Sequence, residues 1–124
     1  MLRQASGPRN ALGQIAIRFP NPFSVYLHDT PSQRLFGTPE RCYSSGCVRV
    51  EDAVSLPDQL FPDANTSAFQ RLHQARSGED TRNVSLATGV PLIMAYWTAQ
   101  ADDDGRLQFR RDTYEEDELL IDLL

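Results

Sequence analysis

Ile15, Ile17 and Phe19 alternate with Gln14, Ala16 and Arg18, the period of a half-buried strand, so residues 14–19 are predicted as a strand. Pro20-Asn21-Pro22 predicts a turn. Residues 23–27, rich in aromatic and β-branched side chains, predict a second strand that closes a hairpin. His28 then falls at the end of that strand, on a rigid element but facing an open rim. Residues 29–41 form a long connection carrying Pro31, Gly37 and Pro39, and residues 47–50 a further short strand. Leu56 and Leu60 suggest a helix over 51–60, which Pro57 is expected to interrupt. A better helix spans 67–76, capped by Thr66 or Ser67, with Phe69, Leu72 and His73 on one face and Gly78 as its stop. Residues 83–86 and 91–98 read as strands. Asp102-Asp103-Asp104-Gly105 reads as a hairpin turn leading into 107–109, and 114–123 as a short acidic helix with Leu119, Leu120 and Leu123 on its apolar side. Residues 1–13, rich in Gly, Pro, Asn and Arg, read as loop. The pattern is mostly β with short helices, an α+β chain of one domain over residues 1–124.

Composition narrows this reading little. Hydrophobic residues at 40% and charged residues at 23% describe an ordinary globular protein. A net charge of −5 gives no reason to expect nucleic acid or an anionic membrane as partner. No apolar run approaches the roughly 20 residues that span a bilayer. Met1 to Pro8 carries no apolar signal-peptide core, which taken alone implies a cytoplasmic protein. Cys42, Cys47, His28 and His73 lack the paired spacing of a zinc site. The Asp102–Asp104 run lacks the alternation and distal Glu of a calcium loop. Cys42 and Cys47 are close enough for a small disulfide, and a free reactive thiol at either is the alternative.

The chemistry concentrates in Ser44-Ser45-Gly46-Cys47-Val48-Arg49. A thiolate is the nucleophile of thiol acyl transfer and needs a base or a positive field nearby. His28 offers the base and Arg49 the charge. The Gly46–Cys47 backbone can turn its N–H groups to one point, as an oxyanion hole requires. Ser44 and Ser45 can position groups by hydrogen bonding. His73, among Gln70, Arg71 and Gln74, receives no chemical role.

His28-Asp29-Thr30-Pro31-Ser32, Leu35-Phe36, Arg41 and Ser44 to Arg49 together resemble the catalytic domain of L,D-transpeptidases, the YkuD-like family, and most closely its large periplasmic, YcbB-like branch. Fragments in order extend the resemblance: Arg3-Gln4, Pro8, Asn10-Ala11-Leu12-Gly13, Phe19-Pro20-Asn21, Tyr26-Leu27, Pro91, Tyr96-Trp97-Thr98-Ala99, Asp104-Gly105, Asp112, Tyr114 and Asp117. The resemblance implies a partial YkuD-like β-sandwich, the C-terminal part of such a domain, in the periplasm or cell envelope. It implies Cys47 as nucleophile, His28 as general base and then acid, the Asp29 carbonyl as orienter of the imidazole, and Gly46 with Cys47 as oxyanion hole. Arg49, Ser44 and Tyr26 would contact substrate. The implied partner is a peptidoglycan stem peptide, and the chemistry calls for no cofactor and no metal. The family writes Ser/Thr-His-Gly-Cys, and Ser45 stands here in place of that histidine. The chain also starts beyond the family's early strands, which implies a truncated domain. A catalytically inactive remnant or stem-peptide-binding module is the alternative function.

Overall fold

The computed structural model describes Gln4 and residues 9–61, 63–78 and 80–123; Arg3 and Pro8 of the family pattern, and most of the expected loop before them, lie outside these. The chain divides into two compact units, Met1–Val90 and Pro91–Leu124.

In the first unit, β1 (Ala16–Ile17), β2 (Leu27–His28) and β3 (Val48–Arg49) form a sheet in that order. β1 and β2 are antiparallel, with Ala16 opposite His28 and Ile17 opposite Leu27, as the hairpin reading expects. β3 lies parallel to β2, with Leu27 opposite Val48 and His28 opposite Arg49. The second strand starts later than its side-chain pattern suggests, and Asn21 is the reason. Its amide donates to the Phe19 and Val25 carbonyls at 2.9 and 2.7 Å, and its Oδ1 accepts from the N–H of Phe23 and Val25 at 3.1 and 3.0 Å. A side chain has taken the backbone groups a ladder would have used.

The connection from β2 to β3 carries a 3-10 helix, Gln33–Gly37. After β3, Pro57 does not interrupt a helix but opens one: α1 (Leu56–Leu60) holds it in the first turn, where its missing N–H costs nothing. α2 (Ser67–Arg76) matches its expected bounds, and the Thr66 hydroxyl accepts from Phe69 N–H at 3.2 Å as its cap. Phe69 meets Phe61 edge-on, while His73 and Arg76 reach Asp58 of α1 at 3.1 and 3.2 Å.

Residues 83–86 form no strand. Their alternation is visible in half-buried Val84 and Leu86, but no neighbouring segment pairs with them among the described residues. Alternation reports a face; a strand also needs a partner for its N–H and C=O groups.

In the second unit, residues 91–98 likewise form no strand, for the same reason. β4 (Ala99–Ala101) and β5 (Leu107–Phe109) make an antiparallel hairpin around the predicted Asp-Gly turn. Asp102 Oδ1 accepts from the N–H of Asp104 and Arg106 at 3.1 and 2.8 Å, and Gly105 takes a φ of +77°, which suits glycine. The acidic helix shortens to α3 (Asp117–Ile121). Its first N–H is held by Asp112 Oδ2 at 2.8 Å, and Asp117 accepts from the Thr98 hydroxyl at 2.6 Å.

Candidate active site

Side chains alternate along a strand, and residues opposite one another on neighbouring strands share a face. The pairings therefore set Ala16, His28 and Arg49 in one row across the first sheet. Extending the register by one residue gives a second row on the same face: Arg18, Tyr26 and Cys47. Contacts agree with this grid. The Tyr26 and His28 rings lie 5.8 Å apart, and the Arg18 guanidinium stands 6.0 Å from the Tyr26 ring centre. Cys47 is thus one diagonal step from His28. With neighbouring strands about 4.8 Å apart, that step is roughly 8 Å between Cα atoms, a span that two side chains on one sheet face can bridge.

His28 departs from expectation in one respect. It does not face an open rim; it is 6% exposed, and Asp29 and Thr30 beside it are 5% and 4% exposed. Buried polar groups require partners, and here the partners fix the ring. His28 Nδ1–H donates to the Asp29 carbonyl at 2.5 Å, leaving Nε2 as the acceptor nitrogen. The peptide just before it, between His28 and Asp29, is tied on both sides: Asp29 N–H donates to Ile15 O, and Val50 N–H to His28 O, each at 2.9 Å.

The cysteine segment is a short closed loop ahead of β3. Ser44 Oγ donates to the Cys47 carbonyl at 2.5 Å and accepts weakly from Gly46 N–H at 3.4 Å. Gly46 takes a φ of +148°, a conformation L-residues rarely adopt, so the turn into Cys47 needs glycine. Arg49 sends Nη2 to the Tyr43 carbonyl at 3.3 Å, whereas its buried Nε–H has no partner among the described residues. An unpaired buried N–H costs about 1–3 kcal/mol, and among the described residues none offers this donor an acceptor.

Cys42 is exposed and Cys47 half-buried, and both are free thiols. Among the described residues, no group of three or more His, Cys, Asp or Glu side chains could hold a metal. No helix is long and apolar enough to cross a membrane. His73 pairs with Asp58 on the surface, apart from the Cys47 grid. An open depression of about 400 Å³ borders Asp29, lined in part by Gly13, Gln14, Gln33 and Val54, and Cys47 is not in its lining.

Two residues of the neighbourhood, Arg18 and Gln33, escape sequence reasoning, and Gly13 enters it only within the family resemblance, with no contact assigned. Arg18 could have been found by counting the predicted hairpin's register to Tyr26. Gly13 and Gln33 make contacts with Asp29 that cross between loops, for which periodicity carries no signal.

A family model for the L,D-transpeptidase catalytic domain (YkuD) matches residues 2–68, more than half of the chain. A Haemophilus influenzae protein named "Putative L,D-transpeptidase" is 34% identical over 98 residues, covering 79% of this chain and 20% of that protein. The chain therefore spans about a fifth of that relative's length. Matched in order across the hairpin, the His28 strand end and the Cys47 loop, the chain belongs to the YkuD family of L,D-transpeptidase catalytic domains.

Proposed function

We propose that the chain is an L,D-transpeptidase-type cysteine acyltransferase acting on peptidoglycan stem peptides in the periplasm or cell envelope. The observation that carries the reading is the shared sheet face of His28 and Cys47, with Nδ1–H of His28 already engaged so that Nε2 is free to accept. His28 takes the thiol proton, and Cys47 Sγ attacks the carbonyl of the diaminopimelate residue in a tetrapeptide stem. Gly46 and Cys47 N–H groups receive the developing oxyanion, for which the weak Gly46 contact to Ser44 must open. As the C–N bond breaks, His28 returns the proton to the departing D-alanine, leaving a thioester on Cys47. The amine of a neighbouring stem then attacks the thioester, loses a proton to His28 and regenerates the thiol, joining the third residues of two stems. Arg49, with its unpartnered Nε–H, supplies an anion contact for a substrate carboxylate. Tyr26 and Ser44 shape the groove on either side. No step calls on a cofactor or metal.

Ser45 favours a second reading, a stem-peptide-binding module without turnover, because the family's histidine at this position would lend its field to the thiol. Intact-mass analysis after exposure to a carbapenem separates the two. A one-to-one adduct in the natural chain and none in Cys47→Ser is the expected result. Stem-peptide binding with no adduct would overturn the enzyme reading in favour of the module.

A further inference from the structure

We propose that Gly13 and Gln33 are positioning residues for His28, acting through the carboxylate of Asp29. The inference rests on the reading of His28 as the base of Cys47. Asp29 carries two distinct functions. Its carbonyl holds His28 Nδ1–H, and its side chain, 5% exposed, is anchored at both oxygens. Oδ2 accepts from Gln14 N–H at 2.8 Å, and Oδ1 accepts from Gln33 Nε2 at 2.8 Å. The same Gln33 amide also donates to the Thr30 carbonyl at 2.9 Å, bracing the chain on the far side of Asp29.

Gly13 makes the first anchor possible. Its φ is +60°, and its N–H closes a turn on the Asn10 carbonyl at 2.9 Å, which aims the next N–H, that of Gln14, at the carboxylate. A Cβ at Gly13 would stand 2.1 Å from Asp29 Oδ2 and 2.6 Å from its Cβ. No flexible side-chain end could yield there without moving the carboxylate itself. The turn at residues 10–14 and the 3-10 helix at Gln33 therefore grip one side chain from two loops. What they hold steady is the carbonyl on the other end of the same residue. An imidazole freed from that carbonyl would exchange tautomers and rotate, and the acceptor nitrogen would no longer face the thiol for a fixed fraction of the time.

The test uses the full chain with ¹⁵N-labelled histidine, reading the His28 tautomer by long-range proton–nitrogen NMR, alongside the rate of carbapenem acylation at Cys47. Gln33 is exposed, so Gln33→Leu removes the donor with little demand on the fold. It is expected to mix the His28 tautomers and slow acylation roughly tenfold. Gln33→Arg keeps a donor and is expected to restore both, while Gly13→Ala, which displaces the carboxylate, exceeds the Gln33→Leu effect. An unaltered Nδ1–H tautomer in folded Gln33→Leu would overturn the clamp and leave the catalytic reading standing. If Gln33→Leu does not fold, the same readout in Asp29→Asn, which keeps the volume but opposes a donor to a donor, decides it. A natural chain with a pure Nδ1–H tautomer that never acylates would overturn the catalytic reading and not the clamp.

Discussion

The two units use polar contacts to opposite ends. In the first, polar groups are drawn inward: His28, Asp29 and Thr30 are buried, and among the described residues the apolar Ala53 and Pro57 are buried as well. In the second, polar contacts at the surface fix the backbone. Tyr96 Oη donates to Asp112 at 2.8 Å and accepts from Thr113 N–H at 2.8 Å, while Ile93 and Leu123 stay 87% and 83% exposed. Burial of a polar group is costly unless every partner is supplied, so it is found where orientation matters more than stability. In the first unit the partners are mostly backbone N–H and C=O groups, which move less than side chains. That difference supports the proposed site without reference to any cavity.

The sharpest way to break the contrast is at its centre. His28→Gln keeps a polar side chain but removes the proposed base, and is expected to slow Cys47 acylation by about 10²–10⁴-fold while the far-UV spectrum is retained. Equal rates would sever the link between the buried cluster and reactivity. Ser45→His restores the family's residue beside the thiol and is expected to speed carbapenem acylation roughly tenfold. If natural and variant chains react equally fast, the second-histidine argument fails. A smaller effect tests the first unit's other side-chain anchor: Asn21→Ala, which opens the β1–β2 loop, is expected to cost about 1–2 kcal/mol in urea unfolding.

The smallest effect belongs to the second unit and depends on pH. The N–H of Asp117, followed by the Tyr96 phenol, holds the Asp112 carboxyl below its ordinary range, and Tyr96 is pushed upward by desolvation and by Asp112. A carboxyl depressed on folding contributes stability above its unfolded value of about 3.9 and loses it as pH falls through the lower folded value. Acidification from pH 5 is therefore expected to weaken the near-ultraviolet tyrosine signal below about pH 4, and Asp112→Asn to flatten that change.

Local chemistry was legible in the sequence wherever a residue acts on its own neighbours. The helix at Ser67–Arg76 carries its cap and stop within a few residues, and the Asp102–Gly105 turn carries its own hydrogen bonds. The order of His28, Gly46, Cys47 and Arg49 pointed to the family before any geometry. Pairing was less legible. Residues 83–86 and 91–98 show the right composition, but a strand is decided by what lies beside it. The late start of β2 depends on Asn21 capturing backbone groups, and the burial of His28 on packing that a local pattern does not encode. Pro57 was read as a breaker because its position within the turn decides its meaning, and that position was set by where α1 begins.

The parallel pairing of β2 with β3 has a consequence for how this segment can diversify. The proposed pair, His28 and Cys47, is set by the register of two strands zipped together, and past the Gln33–Gly37 helix the chain between them serves as a tether. Doubling the length of such a tether costs about 0.6 kcal/mol in closure entropy. Insertions between Thr38 and Arg41 would therefore leave the strand register and the Gln33 contacts with Asp29 and Thr30 in place, which lets this stretch vary in length without disturbing the proposed pair.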